Sequence, residues 1–183
     1  MTNDPIYLDH NATTPLLSEV VDAMLPYLRE HFGNPSSGHV YGSRARAGVA
    51  HAREQVAALL GCDADEIVFT SGGTEANNLA IRGVTEALER KSHVVTTIIE
   101  HPATARPCAW LEKHERSVTH IGVDADGRAR VDAAREATDG DTALVTVMHS
   151  NNETGVLQPV EELARLAHAA GALIHTEDRK SVV

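Results

Sequence analysis

Aromatic residues are scarce in this chain. Two Phe, one Trp and three Tyr make up 3% of its 183 residues. A core must therefore be built from Ala, Val, Leu and Ile. The hydrophobic share, 42%, is that of a globular protein, and 183 residues suffice for one ordinary domain. Cysteine is also rare: Cys62 and Cys108 are the only two. Two thiols do not make a disulfide framework, and both are read as ordinary cysteines. The eleven histidines are scattered, with no His-Glu-x-x-His or Cys-x-x-Cys spacing, so no metal site is expected. Basic charge is in deficit, with 16 Lys and Arg against 26 Asp and Glu, a net charge of −10. Such a surface repels phosphate backbones, and no nucleic-acid partner is expected. No apolar run is long enough to cross a bilayer, so no membrane contact is expected. The first residues, MTNDPIYLDHNATTP, lack a basic stretch followed by an apolar one. That argues against a secretory signal and favours the cytoplasm.

What the chain has is an alternation of short β-rich runs with helical periodicity. Residues 67–70, 93–99, 117–121, 142–149 and 172–175 are rich in Val, Ile and Thr and read as strands, several of them buried on both faces. Between them, 43–60, 74–89 and 159–170 place apolar residues three and four apart and read as helices. The last opens on Pro159 with Glu161 and Glu162 in its first turn and closes at Gly171. Pro102 is suited to opening a further helix, in which Pro107 predicts a kink or a late start. Strands alternating with helices predict an α/β fold with a mostly parallel sheet.

Polar residues gather where these strands end. After 67–70 comes Ser71-Gly-Gly-Thr74 and at once a helix. Its unpaired amides and positive dipole end suit a phosphate, and its glycines let a ligand approach; a plain strand-to-helix turn is the competing reading. The loop is neither Gly-x-Gly-x-x-Gly nor a P-loop, which disfavours a dinucleotide or ATP. Glu100-His-Pro-Ala103 follows the next strand, His149-Ser-Asn-Asn-Glu-Thr-Gly155 the one at 142–149, and Ala172-Leu-Ile-His-Thr-Glu177 ends in a carboxylate. In doubly wound sheets ligands sit beyond the carboxyl ends of strands. One such end is weak evidence; several along one edge mark a site.

Five motifs then occur in a familiar order: Tyr7-Leu-Asp-His-Asn-Ala-Thr-Thr-Pro15, Gly33-Asn-Pro-Ser-Ser-Gly-His39, the 70–78 loop, Glu100–Ala103 and Ser150-Asn-Asn-Glu-Thr-Gly155. Together they resemble the cysteine desulfurases, pyridoxal-phosphate enzymes of the class V aminotransferase group, and within them the iron–sulfur and tRNA-thiolation branch. The resemblance runs from about residue 6 to residue 176. It implies the large domain of a type I pyridoxal-phosphate-dependent transferase, here partial: an N-terminal segment 1–15, a cofactor-binding part 16–176 and a tail 177–183. It implies pyridoxal 5′-phosphate as cofactor, L-cysteine as substrate, alanine release, a sulfur-acceptor scaffold protein as partner, and a homodimer. Residue by residue, Gly73 and Thr74 match the phosphate-binding positions. His101 matches the catalytic histidine that stacks on the pyridine ring. Asn152 matches the residue bonded to the ring oxygen. Glu177 falls where the family has the aspartate paired with the pyridine nitrogen.

The chain also departs from that pattern. Glu177 stands in place of Asp, and Lys180 stands where the family has Gln. The family's Schiff-base lysine after a Ser-x-His motif, its persulfide cysteine loop and its substrate-binding arginine have no counterpart here. Neither Cys62 nor Cys108 matches the persulfide cysteine. Asp178-Arg-Lys-Ser-Val-Val183 is what a common sequencing adapter encodes in one frame, and its first base would turn an aspartate codon into the Glu177 codon. The tail is therefore expected to be non-native and the chain itself inactive. The competing readings are another class V enzyme, such as a selenocysteine lyase or a small-molecule aminotransferase, and a non-catalytic scaffold half.

Overall fold

In a computed structural model of the protein, residues 5–10, 12–88 and 90–178 are described. They fall into two compact units, 1–69 and 70–183.

The first unit is helical. Helix α1 spans Ser18–Arg29 and α2 spans Val40–Leu60, followed by one 3₁₀ turn at Ala64–Glu66. Helix α2 begins three residues before the expected start because His39 caps it: its Nδ1 accepts the Gly42 amide at 3.3 Å. Gly61, in the left-handed conformation, closes it. Residues 67–70 were expected to be a strand and are not one. A strand needs a neighbour to complete its ladder, and no strand among the described residues pairs with this one. The Ile67 carbonyl instead accepts a hydrogen bond from the Arg53 guanidinium, and Val68 and Phe69 are exposed.

The second unit is the α/β body. Its strands are β1 (His93–Thr97), β2 (Ser117–Ile121), β3 (Thr142–Met148) and β4 (Leu173–Glu177), in the order β2-β1-β3-β4, all parallel. Helices α3 (Gly73–Ala87), α4 (Pro102–Glu112), α5 (Val131–Ala137) and α6 (Val160–Ala169) cover its faces. The side-chain alternation of a strand explains the two cores. Val94 and Leu144 face one way and pack with Ile81, Cys108 and Leu111. Val95, Val145 and Val147 face the other way and pack with Ile121, Ala134, Leu163 and Ala167. Strands β1 and β3 are buried on every residue, hence their runs of Val, Leu, Ala and Thr without a charged side chain. The mostly parallel α/β architecture expected from the sequence is the one observed.

Helix α4 starts at Pro102 itself, not later, with His101 as its cap and Pro107 in its interior. Strand β4 continues through Glu177, so that residue belongs to the sheet. Lys180 and the rest of the tail beyond Asp178 lie outside the described residues. No helix among the described residues is long and apolar enough to cross a membrane.

The chain runs from β1 outward to β2, then returns past β1 to place β3 and β4 on its other side. The direction of winding therefore reverses between β1 and β3. In open parallel sheets the crevice beyond the carboxyl ends of two such strands is where ligands bind.

Candidate active site

Each element around that crevice delivers one polar group. Gly72, with φ at +156°, makes the sharp turn into α3, a conformation open mainly to glycine. Gly72, the N-cap residue, has no side chain with which to cap α3. Glu75 instead folds back over the turn, accepting the Ser71 amide at 2.7 Å and the Ser71 hydroxyl at 2.5 Å. Those bonds hold its exposed carboxyl below the usual carboxylate range. The first amides of α3 and the Thr74 hydroxyl remain at the mouth of the crevice.

His101 ends the loop after β1 and caps α4, its Nδ1 accepting the Ala103 amide at 3.1 Å. An accepting Nδ1 places the proton of the neutral ring on Nε2. Glu177, at the end of β4, brings its Oε1 to 4.0 Å from the same Nδ1. Its side chain is 12% exposed, against 32% for His101. Two neighbours satisfy its Oε2: Asn77 Nδ2 donates at 2.9 Å and the Thr104 hydroxyl at 3.2 Å. Asn77 also donates to the Thr104 oxygen at 3.2 Å, so α3, α4 and β4 are knotted together at one carboxylate. A partly buried carboxylate kept by two neutral donors remains available to a cationic N–H.

Gly73, Thr74, His101 and Glu177 thus line one cavity of about 370 Å³, together with Ser71, Gly72, Glu75 and Ala103. Asn152, the fifth expected residue, is not in that lining. It lies half-buried on the turn after β3, closed by the Gly155 amide on the Asn151 carbonyl at 2.8 Å. Its neighbour Asn151 shapes that turn. The Asn151 Oδ1 accepts the amides of Glu153 and Thr154, and its Nδ2 donates to the Ile99 carbonyl.

Sequence reasoning missed Asn77 and Thr104. Both were legible in principle, since each lies three residues beyond an expected site residue, one helical turn from Thr74 and His101. It also assigned nothing to Glu100. Burial pushes the Glu100 carboxyl up to about 7, the Thr97 and Met148 bonds pull it back, and Glu177 adds to the rise. Burial likewise raises the Cys108 thiol to about 11, which leaves it a core residue rather than a nucleophile.

The donor set sorts by chemistry. Helix amides and a hydroxyl suit a phosphate, an imidazole suits a flat ring, and a partly buried carboxylate suits a ring N–H. A winding reversal with these groups at its crevice defines the class: a parallel α/β protein built to hold a phosphorylated heteroaromatic ligand. Pyridoxal phosphate fits that set.

The comparisons place it further. Residues 6–182 match the aminotransferase class-V family, and the chain belongs to that family. Its enzymes depend on pyridoxal phosphate. Cysteine desulfurase IscS of Dictyoglomus turgidum is 45% identical over 97% of this chain and 45% of its own length. Cysteine desulfurase 2 of Trichormus variabilis is 48% identical over 97% of this chain and 44% of its own length. Among solved structures, a NifS-like protein superposes with a TM-score of 0.93 at 36% identity, covering 97% of this chain and 49% of that one. The chain spans about half the length of the relatives it matches. Relatives named cysteine desulfurase do not favour the selenocysteine-lyase, aminotransferase or scaffold readings.

Proposed function

We propose that this chain forms the cofactor bed of a cysteine desulfurase, the whole enzyme moving sulfur from L-cysteine to an enzyme persulfide and releasing L-alanine. The observation that carries the reading is the Glu177 carboxylate, held by Asn77 and Thr104 beside His101 and the open end of α3. The names of the relatives support it, and a solved neighbour, SspA in complex with cysteine, is 37% identical with a TM-score of 0.90. When bound, pyridoxal phosphate supplies an electron sink for a carbanion at the substrate α-carbon. The chain's own residues do the holding. Gly73 and Thr74 bind the phosphate, His101 covers one ring face, Asn152 bonds the ring oxygen and Glu177 keeps the ring nitrogen protonated. A homodimer, a sulfur-acceptor scaffold in iron–sulfur assembly and a cytoplasmic location complete the reading.

The test is equilibrium binding of pyridoxal 5′-phosphate to the purified chain, followed by cofactor absorbance. Saturable binding that dialysis reverses is expected, weakened about tenfold or more by His101→Ala, with no alanine formed from L-cysteine. Binding that His101→Ala leaves unchanged would overturn the assignment.

A further inference from the structure

Strand β1 is too short for its neighbour. Its last pairing with β3 is Val95 against Val145, and it ends at Thr97, while β3 runs on to Met148. Consecutive amides of a strand point to opposite neighbours. The His149 amide finds the Glu177 carbonyl on the β4 side at 3.0 Å. The Met148 amide points to the β1 side, beyond the end of the β1 ladder. There the Glu100 side chain stands in: its Oε1 accepts the Met148 amide at 3.1 Å and the Thr97 hydroxyl at 2.6 Å. The same hydroxyl oxygen accepts the Ile99 amide at 3.3 Å, shaping the turn. A second tie is donated from the same side, from Asn151 Nδ2 to the Ile99 carbonyl at 3.3 Å.

These ties join two short segments. One, 97–101, ends on His101. The other, 148–152, ends on Asn152. Glu100 itself is absent from the cavity lining; its Oε2 is buried with no hydrogen-bond partner among the described residues. The side chain is therefore spent on the scaffold, one residue before a group that faces the ligand.

We infer that Glu100 is the positioning residue of this site: its single oxygen Oε1 replaces the missing end of β1 and fixes His101 and Asn152 relative to one another. The functional part of this inference rests on the proposed cofactor; the geometric part does not. An acceptor at Oε1 is all the role requires, so Gln should serve where Ala cannot.

The experiment compares the wild-type chain, Glu100→Ala and Glu100→Gln by amide exchange, by the His101 ring resonances and by pyridoxal 5′-phosphate binding. In Glu100→Ala the Met148 amide should exchange at least tenfold faster while that of Val145, on the same strand, keeps its rate. The His101 resonances should shift and the cofactor should bind about tenfold more weakly. Glu100→Gln should restore all three. Equal acceleration at Val145 and Met148, or cofactor binding unchanged in Glu100→Ala, overturns the inference. If the wild-type chain binds no cofactor, the proposed function fails, and the Met148 and His101 readouts still decide the tie. Thr97→Val, which removes the second donor to Glu100 and the acceptor of the Ile99 amide but leaves the Met148–Glu100 bond, provides the milder variant should Glu100→Ala not fold. A threefold acceleration at Met148 is expected there, and none would overturn the inference.

Discussion

The two units of the chain share a sequence style and differ in what their apolar residues achieve. In the α/β unit, Val94, Val95, Leu144, Val145 and Leu163 are all at most 1% exposed. In the helical unit, α1 buries no residue at all, and Val20, Met24, Leu28 and Phe32 are exposed along with Leu59 and Leu60. Both units show helical periodicity. The contrast teaches that periodicity identifies the face that needs covering and says nothing of whether the chain itself covers it. Parallel strands solve this for the second unit, because a buried sheet gives each helix an apolar surface to lie on.

The largest effect that tests this contrast is a matched pair of truncations. Leu163→Ala should destabilise the α/β unit by about 3 kcal/mol, the transfer term plus a cavity. Leu28→Ala, at a position 69% exposed, should change the helical unit by less than about 0.5 kcal/mol. Urea unfolding followed by circular dichroism measures both. A Leu28→Ala cost above roughly 2 kcal/mol would erase the contrast, since it would mean that the α1 face is covered in solution.

A smaller effect separates the units by pH. Burial raises the folded Glu100 carboxyl to about 7 from an ordinary 4.5, with Glu177 from β4 adding to the rise. Cys108 of α4 also faces it. A group whose folded pKa is raised favours the fold while protonated. Its contribution is therefore complete below about 4.5, declines as pH rises through the window to about 7, and is level above it. The loss is at most roughly 3 kcal/mol. His175 works in the opposite sense: burial lowers it, so its contribution is lost as pH falls through the region below its ordinary value of 6.5. The difference between wild type and Glu100→Gln removes that second term. Glu100→Gln should match wild type near pH 4.5 and exceed it in stability at pH 8, in the α/β unit alone. Parallel curves for the two proteins would show that Glu100 does not titrate in this window.

Much of the α/β unit was legible because its signals are local. Four of five expected strands, and helices α3 and α6, follow from runs rich in Val, Ile and Thr and from spacings of three and four. Residues 67–70 carry the same β-rich signal and fail, because a strand is a relation between two segments and a single sequence displays only one. Helices α1 and α5 went unread for a related reason: the first has no buried face and the second has only seven residues. At the site, Gly73, Thr74, His101 and Glu177 were legible from strand ends plus a resemblance, and they share one cavity. The support beneath them was not. Asn77 meets Glu177 across 100 residues and Glu100 meets Met148 across 48, and nothing in either neighbourhood announces its partner.

The smallest expected effect probes how loosely α1 is held. Helices α1 and α2 meet where the Tyr27 ring lies against Gly48, and a Cβ on Gly48 would come within 2.4 Å of that ring. Two terms then compete in Gly48→Ala. Alanine in a helix interior gains roughly 1 kcal/mol over glycine. Against this stands the displacement of Tyr27, whose overlapping atoms belong to the far end of a flexible side chain already 46% exposed. A ring with no core around it can swing into solvent for little, whereas the same overlap in the α/β unit would press on close-packed neighbours. Gly48→Ala should therefore leave the helical unit within about 1 kcal/mol of wild type, on the stabilised side, as read by amide exchange along α2. A loss of 2 kcal/mol or more would mean that Tyr27 is anchored, and with it that α1 is packed as firmly as the helices of the sheet.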